Sequence, residues 1–118
     1  GSMIVNVSSA SALLPPTEKW GVYNASKIAV KHWFNSVRAE LVNTEIKHVF
    51  FPLVNTRMIP EDSTYKRLPK LSTHHAAAII LQLMTSTKKS YKPWWLSGSV
   101  LFLQMFNFLW KPISRFVD

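Results

Sequence analysis

The spacing of apolar residues divides this chain into elements. The run Ile4 to Val7 is short and β-branched and reads as a strand. Pro15-Pro16 rules out a helix through the middle of Ser8 to Lys19, so that stretch is predicted to be a loop. From Val22 to about Asn43 the period turns helical. Tyr23, Lys27, Val30, Phe34, Val37 and Leu41 fall on one narrow stripe, and Asn24, Lys31, Asn35 and Arg38 lie to one side of it. Glu40 interrupts the stripe near its end, where fraying or a salt bridge accommodates it. The next run, "IKHVFFPLV" from Ile46, reads as a mostly buried strand ended by Pro52, with a polar loop from Asn55 to Pro69 behind it. Ser72 or Thr73 caps a second helix rich in helix formers, Ala76 to Met84. "SYKPWW" reads as a short third strand and "SGSVLFLQMFNFLW" as an apolar helix. Strands that alternate with helices predict an α/β domain.

Composition narrows this picture. At 118 residues one core is expected, and 47% hydrophobic against 17% charged residues excludes a disordered chain. The net charge of +8 would suit anionic partners, yet its tight clusters, Lys66-Arg67-Lys70 and Lys88-Lys89-Lys92, read as solvated charge. No helix carries a basic stripe of the kind a groove reader needs, so nucleic-acid binding is not expected. The chain has no cysteine, which excludes disulfides and thiolate metal sites and is compatible with a reducing cytoplasm. His74 and His75 are adjacent, so on a helix their side chains diverge and read as first-turn surface residues. His32 and His48 lack carboxylate or thiol partners at ligand spacing, and no metal site is expected.

One pair on the helical stripe carries chemistry. In "YNASK", Tyr23 and Lys27 stand one helical turn apart and face each other. A phenol with an ordinary pKa of about 10 is a sluggish proton donor or acceptor at neutral pH, and a neighbouring ammonium favours its phenolate. Taken alone, the spacing is also met by a lysine that snorkels to solvent. The context is more specific: a strand ending in Ser8-Ser9, a loop, a helix opening on Tyr23, then a strand ending at Pro52 and a loop with Asn55-Thr56.

With "IVNVSS", "YNASK" and "FFPLVNT" in that order over residues 4–59, the chain resembles the short-chain dehydrogenase/reductase family. The resemblance implies the C-terminal half of a Rossmann-like, doubly wound parallel sheet, with residues 4–92 as the partial domain and 93–118 as an apolar C-terminal helix. It implies that Ser9 hydrogen-bonds a substrate carbonyl or hydroxyl and that Tyr23 is the general acid or base. It further implies that Lys27 lowers the Tyr23 pKa and holds the nicotinamide ribose. Pro52 and Thr56 would border the cofactor beyond the strand's C-terminal end, where open α/β sheets bind ligands. The cofactor implied is NAD(P)(H), and the reaction is interconversion of carbonyl and alcohol on a small molecule. Ser8 and Ser11 read as loop hydrogen-bonding residues.

Three departures stand out. The interval from Ser9 to Tyr23 is one residue longer than the commonest family spacing, and the family's usual glycine after the strand-ending proline is Leu53. "PLVNTRM" is closer to a subgroup that includes fatty acyl-CoA reductases, which implies a lipid or fatty acyl substrate. The third departure is the glycine-rich phosphate loop: the only glycines are Gly1, Gly21 and Gly98. The chain therefore reads as a catalytic half that binds no cofactor and turns over no substrate alone, with "GSM" as an expression remnant ahead of a start methionine.

The tail leaves several readings open. Pro93 to Trp110 is uncharged and bounded by Trp94-Trp95 and Trp110, which suits a substrate lid or subunit interface, an interfacial membrane contact, or a span. An uncovered edge at "IVNVSS" would favour a homo-oligomer. The rival to the enzyme reading is a non-catalytic interaction or membrane-associating module of the same half-fold, using the tail as its contact surface.

Overall fold

The computed structural model describes residues 1–14, 19–59, 64–96 and 98. Strand β1 (Ser2–Ser9) runs into a single 3-10 turn (Ala10–Ala12), followed by helix α1 (Gly21–Val37) and strand β2 (Thr44–Phe51). A second 3-10 turn (Thr64–Arg67) precedes helix α2 (Thr73–Thr85), and β3 (Ser90–Tyr91) ends the series. The strands form one sheet in the order β1-β2-β3, all parallel. Parallel neighbours need crossovers, and α1 and α2 supply them. The expected α/β half-sheet is thus present, with its third strand reduced to two residues.

The register pairs Ser2 with Thr44 through Ser9 with Phe51, and His48 and Val49 with Ser90 and Tyr91. Because successive side chains point to opposite faces, β2 feeds two layers. Val49 and Phe51 enter a cluster with Ala76, Ile79 and Leu83 of α2, and Val5 and Tyr91 pack on it. Phe50 enters a second cluster with Ala10 and Leu96. His48 turns to the same face as Phe50 and meets Asn35 of α1.

Both helix boundaries have local causes. Ser72 caps α2, its hydroxyl accepting from the His75 amide at 3.1 Å, while His74 and His75 are exposed in the first turn as expected. Helix α1 stops at Val37, about a turn and a half before the predicted Asn43. There the amides of Glu40 and Leu41 both donate to the Val37 carbonyl, a tightened closing turn that brings Leu41 inward and leaves Glu40 exposed. The apolar stripe is also incomplete: Asn24, expected to one side, is buried, while Val30 is 44% exposed. Trp33, Ile28 and Val22 leave a further apolar surface on α1 open.

Lys47 is the least expected member of the interior. It is fully buried, and its Nζ donates to the carbonyls of Leu83 (2.7 Å) and Ser86, the last turn of α2. Helix-terminal carbonyls have no partner within the helix and carry partial negative charge, so a buried ammonium satisfies them and is itself satisfied. The Glu45 carboxylate stands 3.6 Å away on the same strand face. Of the predicted C-terminal segment, Pro93 and Leu96 are buried and Trp94 and Trp95 are exposed, and 97 and 99–118 lie outside the described residues. Among those described, no helix is long and apolar enough to cross a membrane.

Replacing Lys47 by Met keeps its bulk but strands two buried carbonyls. The variant is expected to lose about 1–3 kcal/mol of stability, read as a lower urea midpoint with an unchanged slope. A midpoint equal to that of the wild type would show that the ammonium is dispensable.

Candidate active site

Three segments carry the expected site residues: the end of β1, the first two turns of α1, and the loop after β2. Ser9 is the last residue of β1 and the N-cap of the 3-10 turn that follows. Its Oγ lies 2.9 Å from the Ser11 Oγ and accepts from the Ser11 amide at 3.3 Å. The expected substrate-binding hydroxyl thus also closes a local turn. Ser11, expected only to stabilise the loop, is its partner. Ser8 is buried, pairs in register with Phe50, and has an Oγ with no hydrogen-bond partner.

Tyr23 and Lys27 sit half-buried on α1, with the Lys27 Nζ 5.6 Å from the centre of the Tyr23 ring. That is within cation–π range, so the ammonium lies over the phenol ring as the helical spacing predicts. Trp20, just before α1, meets Tyr23 edge-on with centroids 5.4 Å apart, fixing one side of the ring. The Ser26 hydroxyl donates to the Tyr23 carbonyl at 2.7 Å. Next to Tyr23, Asn24 is 7% exposed and its Oδ1 has no partner. Helix α1 packs against the 3-10 turn that follows Ser9.

A polar chain seats α1 on the sheet. Asn6 of β1 meets His48 Nδ1 at 3.1 Å, and His48 Nε2 meets Asn35 Oδ1 of α1 at 3.2 Å. The Asn35 oxygen only accepts, so Nε2 carries the ring hydrogen and the bare Nδ1 accepts from the Asn6 amide nitrogen. The ring is therefore neutral. Burial, then the charges of Arg38 and Lys31, hold its pKa below the usual value of 6.5. Arg38 also donates to the Ile46 carbonyl at 3.3 Å. Sequence reading missed this chain. Its three members lie far apart in sequence, and the one available signal was a histidine and two asparagines on otherwise apolar elements.

Beyond β2, Pro52 is half-buried and Thr56 is exposed. Thr56 organises a turn, its Oγ1 accepting from Met58 at 3.4 Å and its carbonyl from Ile59 at 3.2 Å. A bridge between Val54 and Leu71, closed by Asn55 N to Leu71 O (2.9 Å) and Leu71 N to Leu53 O (2.8 Å), ties this loop to the entry of α2. The result is a cleft of about 710 Å³ lined by Asn55, Thr56, Arg57, Ile59, Lys66, Lys70 and Thr73. Ser9, Tyr23 and Lys27 do not line it. Thr56 belongs to the cleft, whereas Ser9 ends β1 and Tyr23 and Lys27 lie in the first turns of α1.

A nicotinamide dinucleotide needs two things: donors at the ring end and a backbone cradle for its diphosphate. Tyr23, Lys27 and Thr56 could serve the first. For the second, the sequence holds no glycine-rich turn, its glycines standing singly at Gly1, Gly21 and Gly98. Among the described residues no cluster of acidic, histidine or cysteine side chains could hold a metal.

A family model described as short chain dehydrogenase matches residues 1–66. Among curated proteins, a fatty acyl-CoA reductase of Acinetobacter baylyi is 33% identical over 88 residues, which cover 73% of this chain and 30% of that protein. The chain thus spans less than a third of the relative's length. No solved structure matches it significantly.

An imidazole whose pKa falls on folding adds stability while neutral. That contribution is whole above about pH 6.5 and is lost as the pH drops through the lowered folded value. Protonation of Nδ1 also sets a donor against the Asn6 amide. Acidification from neutral pH should therefore lower the thermal midpoint, and His48→Gln should flatten that slope; equal slopes in the two proteins would remove His48 as the cause.

Proposed function

Because the chain belongs to the short-chain dehydrogenase family, we propose that it is the catalytic portion of an oxidoreductase that interconverts a carbonyl and an alcohol. The observation that carries this reading is the Lys27 ammonium 5.6 Å from the Tyr23 ring centre, at the end of the sheet where Ser9 closes β1. Tyr23 is the proton donor in reduction and the acceptor in oxidation. Lys27 places a positive charge beside the phenolate left after donation. Ser9 donates to the substrate oxygen, and Ser11 holds the Ser9 side chain ready. A positioned proton donor of this kind contributes about 10²–10⁴-fold. The nicotinamide cofactor, NAD or NADP, supplies or receives the hydride when bound.

The diphosphate cradle must come from elsewhere, either from another part of a longer polypeptide or from a partner. On this reading the chain alone turns over no substrate. Its similarity to a protein named fatty acyl-CoA reductase supports a long-chain acyl or aldehyde substrate. The edge of β1, paired only with β2 among the described strands, supports association with a further strand, from a second copy or from another part of a longer polypeptide.

Two measurements test this. In a protein that carries the cofactor half together with this chain, Tyr23→Phe should lower kcat by at least about 100-fold with cofactor binding kept; retained turnover would remove Tyr23 from the chemistry. For the chain alone, light scattering should report a dimer or larger species, and a clean monomer at high concentration would refute association through the β1 edge.

A further inference from the structure

Three connections meet at one end of the sheet, and all three carry the same pair of groups. The contacts of α1 fix its direction: Lys31 lies over the Phe50 ring, Asn35 meets His48, and Arg38 reaches the Ile46 carbonyl. Helix α1 therefore runs antiparallel to β2, and the segment ahead of it emerges where the strands end. The loop after β2 and the segment after β3 leave at that end too. Each connection places a large apolar side chain in solvent beside an exposed cation. Lys19 and Trp20 precede α1, Arg57 and Met58 follow β2, and Lys92 precedes Trp94 and Trp95.

Local geometry turns each pair outward. Lys19 has a φ of 68°, in the left-handed region that side chains rarely adopt, and this bend directly precedes Trp20. Val22, in the first turn of α1, is 88% exposed. After β2, the Val54–Leu71 bridge pins the loop and the turn on Thr56 carries Arg57 and Met58 into solvent, Met58 with 81% of its surface exposed. After β3, Pro93 and Leu96 point inward, the Leu96 amide donating to the Pro93 carbonyl at 3.0 Å while its side chain packs on Phe50 and Ala10. The two residues between them face out, and Trp94 is 91% exposed.

Singly exposed apolar residues are ordinary. Their recurrence on three connections at one end, each with a cation alongside, is the chemistry of a bilayer interface. There tryptophan rings sit at headgroup level, and lysine and arginine meet lipid phosphates. The net charge of +8 draws the chain toward an anionic surface. A second copy docked through this face would set the same cations against each other. We infer that this end of the sheet docks peripherally on an anionic lipid bilayer. Trp94, Trp95 and Met58 enter the headgroup boundary, and Lys19, Arg57 and Lys92 meet the phosphates. The inference does not rest on the reductase reading. Where both hold, Tyr23 lies in the first turn behind the docked face, and a substrate dissolved in the bilayer would reach it without crossing water.

The test is co-sedimentation of the 118-residue chain with vesicles of phosphatidylcholine alone, or of phosphatidylcholine and phosphatidylglycerol in equal parts. The chain should sediment with the anionic vesicles, less as salt is raised, and only weakly with the neutral ones. Met58→Ser/Trp94→Ser should lower that partitioning by at least about tenfold, with the circular dichroism unchanged. Should the pair disturb the fold, Trp94→Ser alone carries the same expectation. Lys19→Gln/Arg57→Gln should lower partitioning by about tenfold as well. Lys88→Gln/Lys89→Gln removes equal charge from the opposite end of the sheet, just before β3, and should bind like the wild type. Equal losses in the two charge variants would reduce the effect to net charge and overturn the docking face. So would no binding to anionic vesicles, or unchanged binding by the Met58 and Trp94 variants. Self-association without lipid that these variants abolish would give the face to a protein partner and overturn the proposal too. Tyr23→Phe should bind vesicles like the wild type, so docking and the reductase reading can fail separately.

Discussion

The alternation of side chains along β2 is the constraint on which the rest of this structure depends. Residues Lys47, Val49 and Phe51 face α2, and His48 and Phe50 face the α1 side. Each layer therefore receives apolar anchors and one polar fastening from the same strand. The fastenings differ in kind. Lys47 brings a charge into the interior and discharges it onto helix-end carbonyls, while His48 stays neutral and passes a hydrogen-bond chain from β1 to α1. Isolated buried charge is costly and paired buried charge can be accommodated, so the ammonium is tolerable only because α2 ends where it does.

These fastenings also set how the Tyr23–Lys27 pair lies on the sheet. Tyr23 and Lys27 are placed relative to each other by helical spacing alone, but relative to Ser9 only by how α1 lies on the sheet. The Asn6–His48–Asn35 chain and the Arg38 contact with Ile46 hold the C-terminal half of α1, and the 3-10 turn after Ser9 also packs on the helix. A proton donor needs placement within a hydrogen bond's reach of its acceptor. On the proposed reading, seating the helix on the sheet provides that placement without adding any group to the site itself.

Much of the fold was legible in the chain because its signals are local. The β-branched run at Ile4, the Ser72 cap, the Pro52 stop and the helical spacing of Tyr23 and Lys27 each depend on a few neighbouring residues. What escaped was decided across the fold. Lys47 reads as a polar interruption of an apolar strand, and its partner carbonyls are 36 and 39 residues away. The basic cluster around Lys66 reads as solvated surface until the loop folds back and adds Arg57. The end of α1 was overrun because Leu41 continues the apolar pattern through a closing turn rather than a helix. Membership of the short-chain dehydrogenase family was carried by motifs on β1, α1 and the loop after β2, all within the matched residues.

The Lys47 contacts also bear on the order in which the parts become stable. The last carbonyls of α2 find their partner only on a strand that must already be paired between β1 and β3, and the ammonium finds its own only when α2 has formed to its final turn. Neither half of the contact is satisfied by partial structure, and each is costly if the other is missing. Helix and sheet are thereby bound into one cooperative unit, in which fraying of α2 and opening of the sheet become the same event.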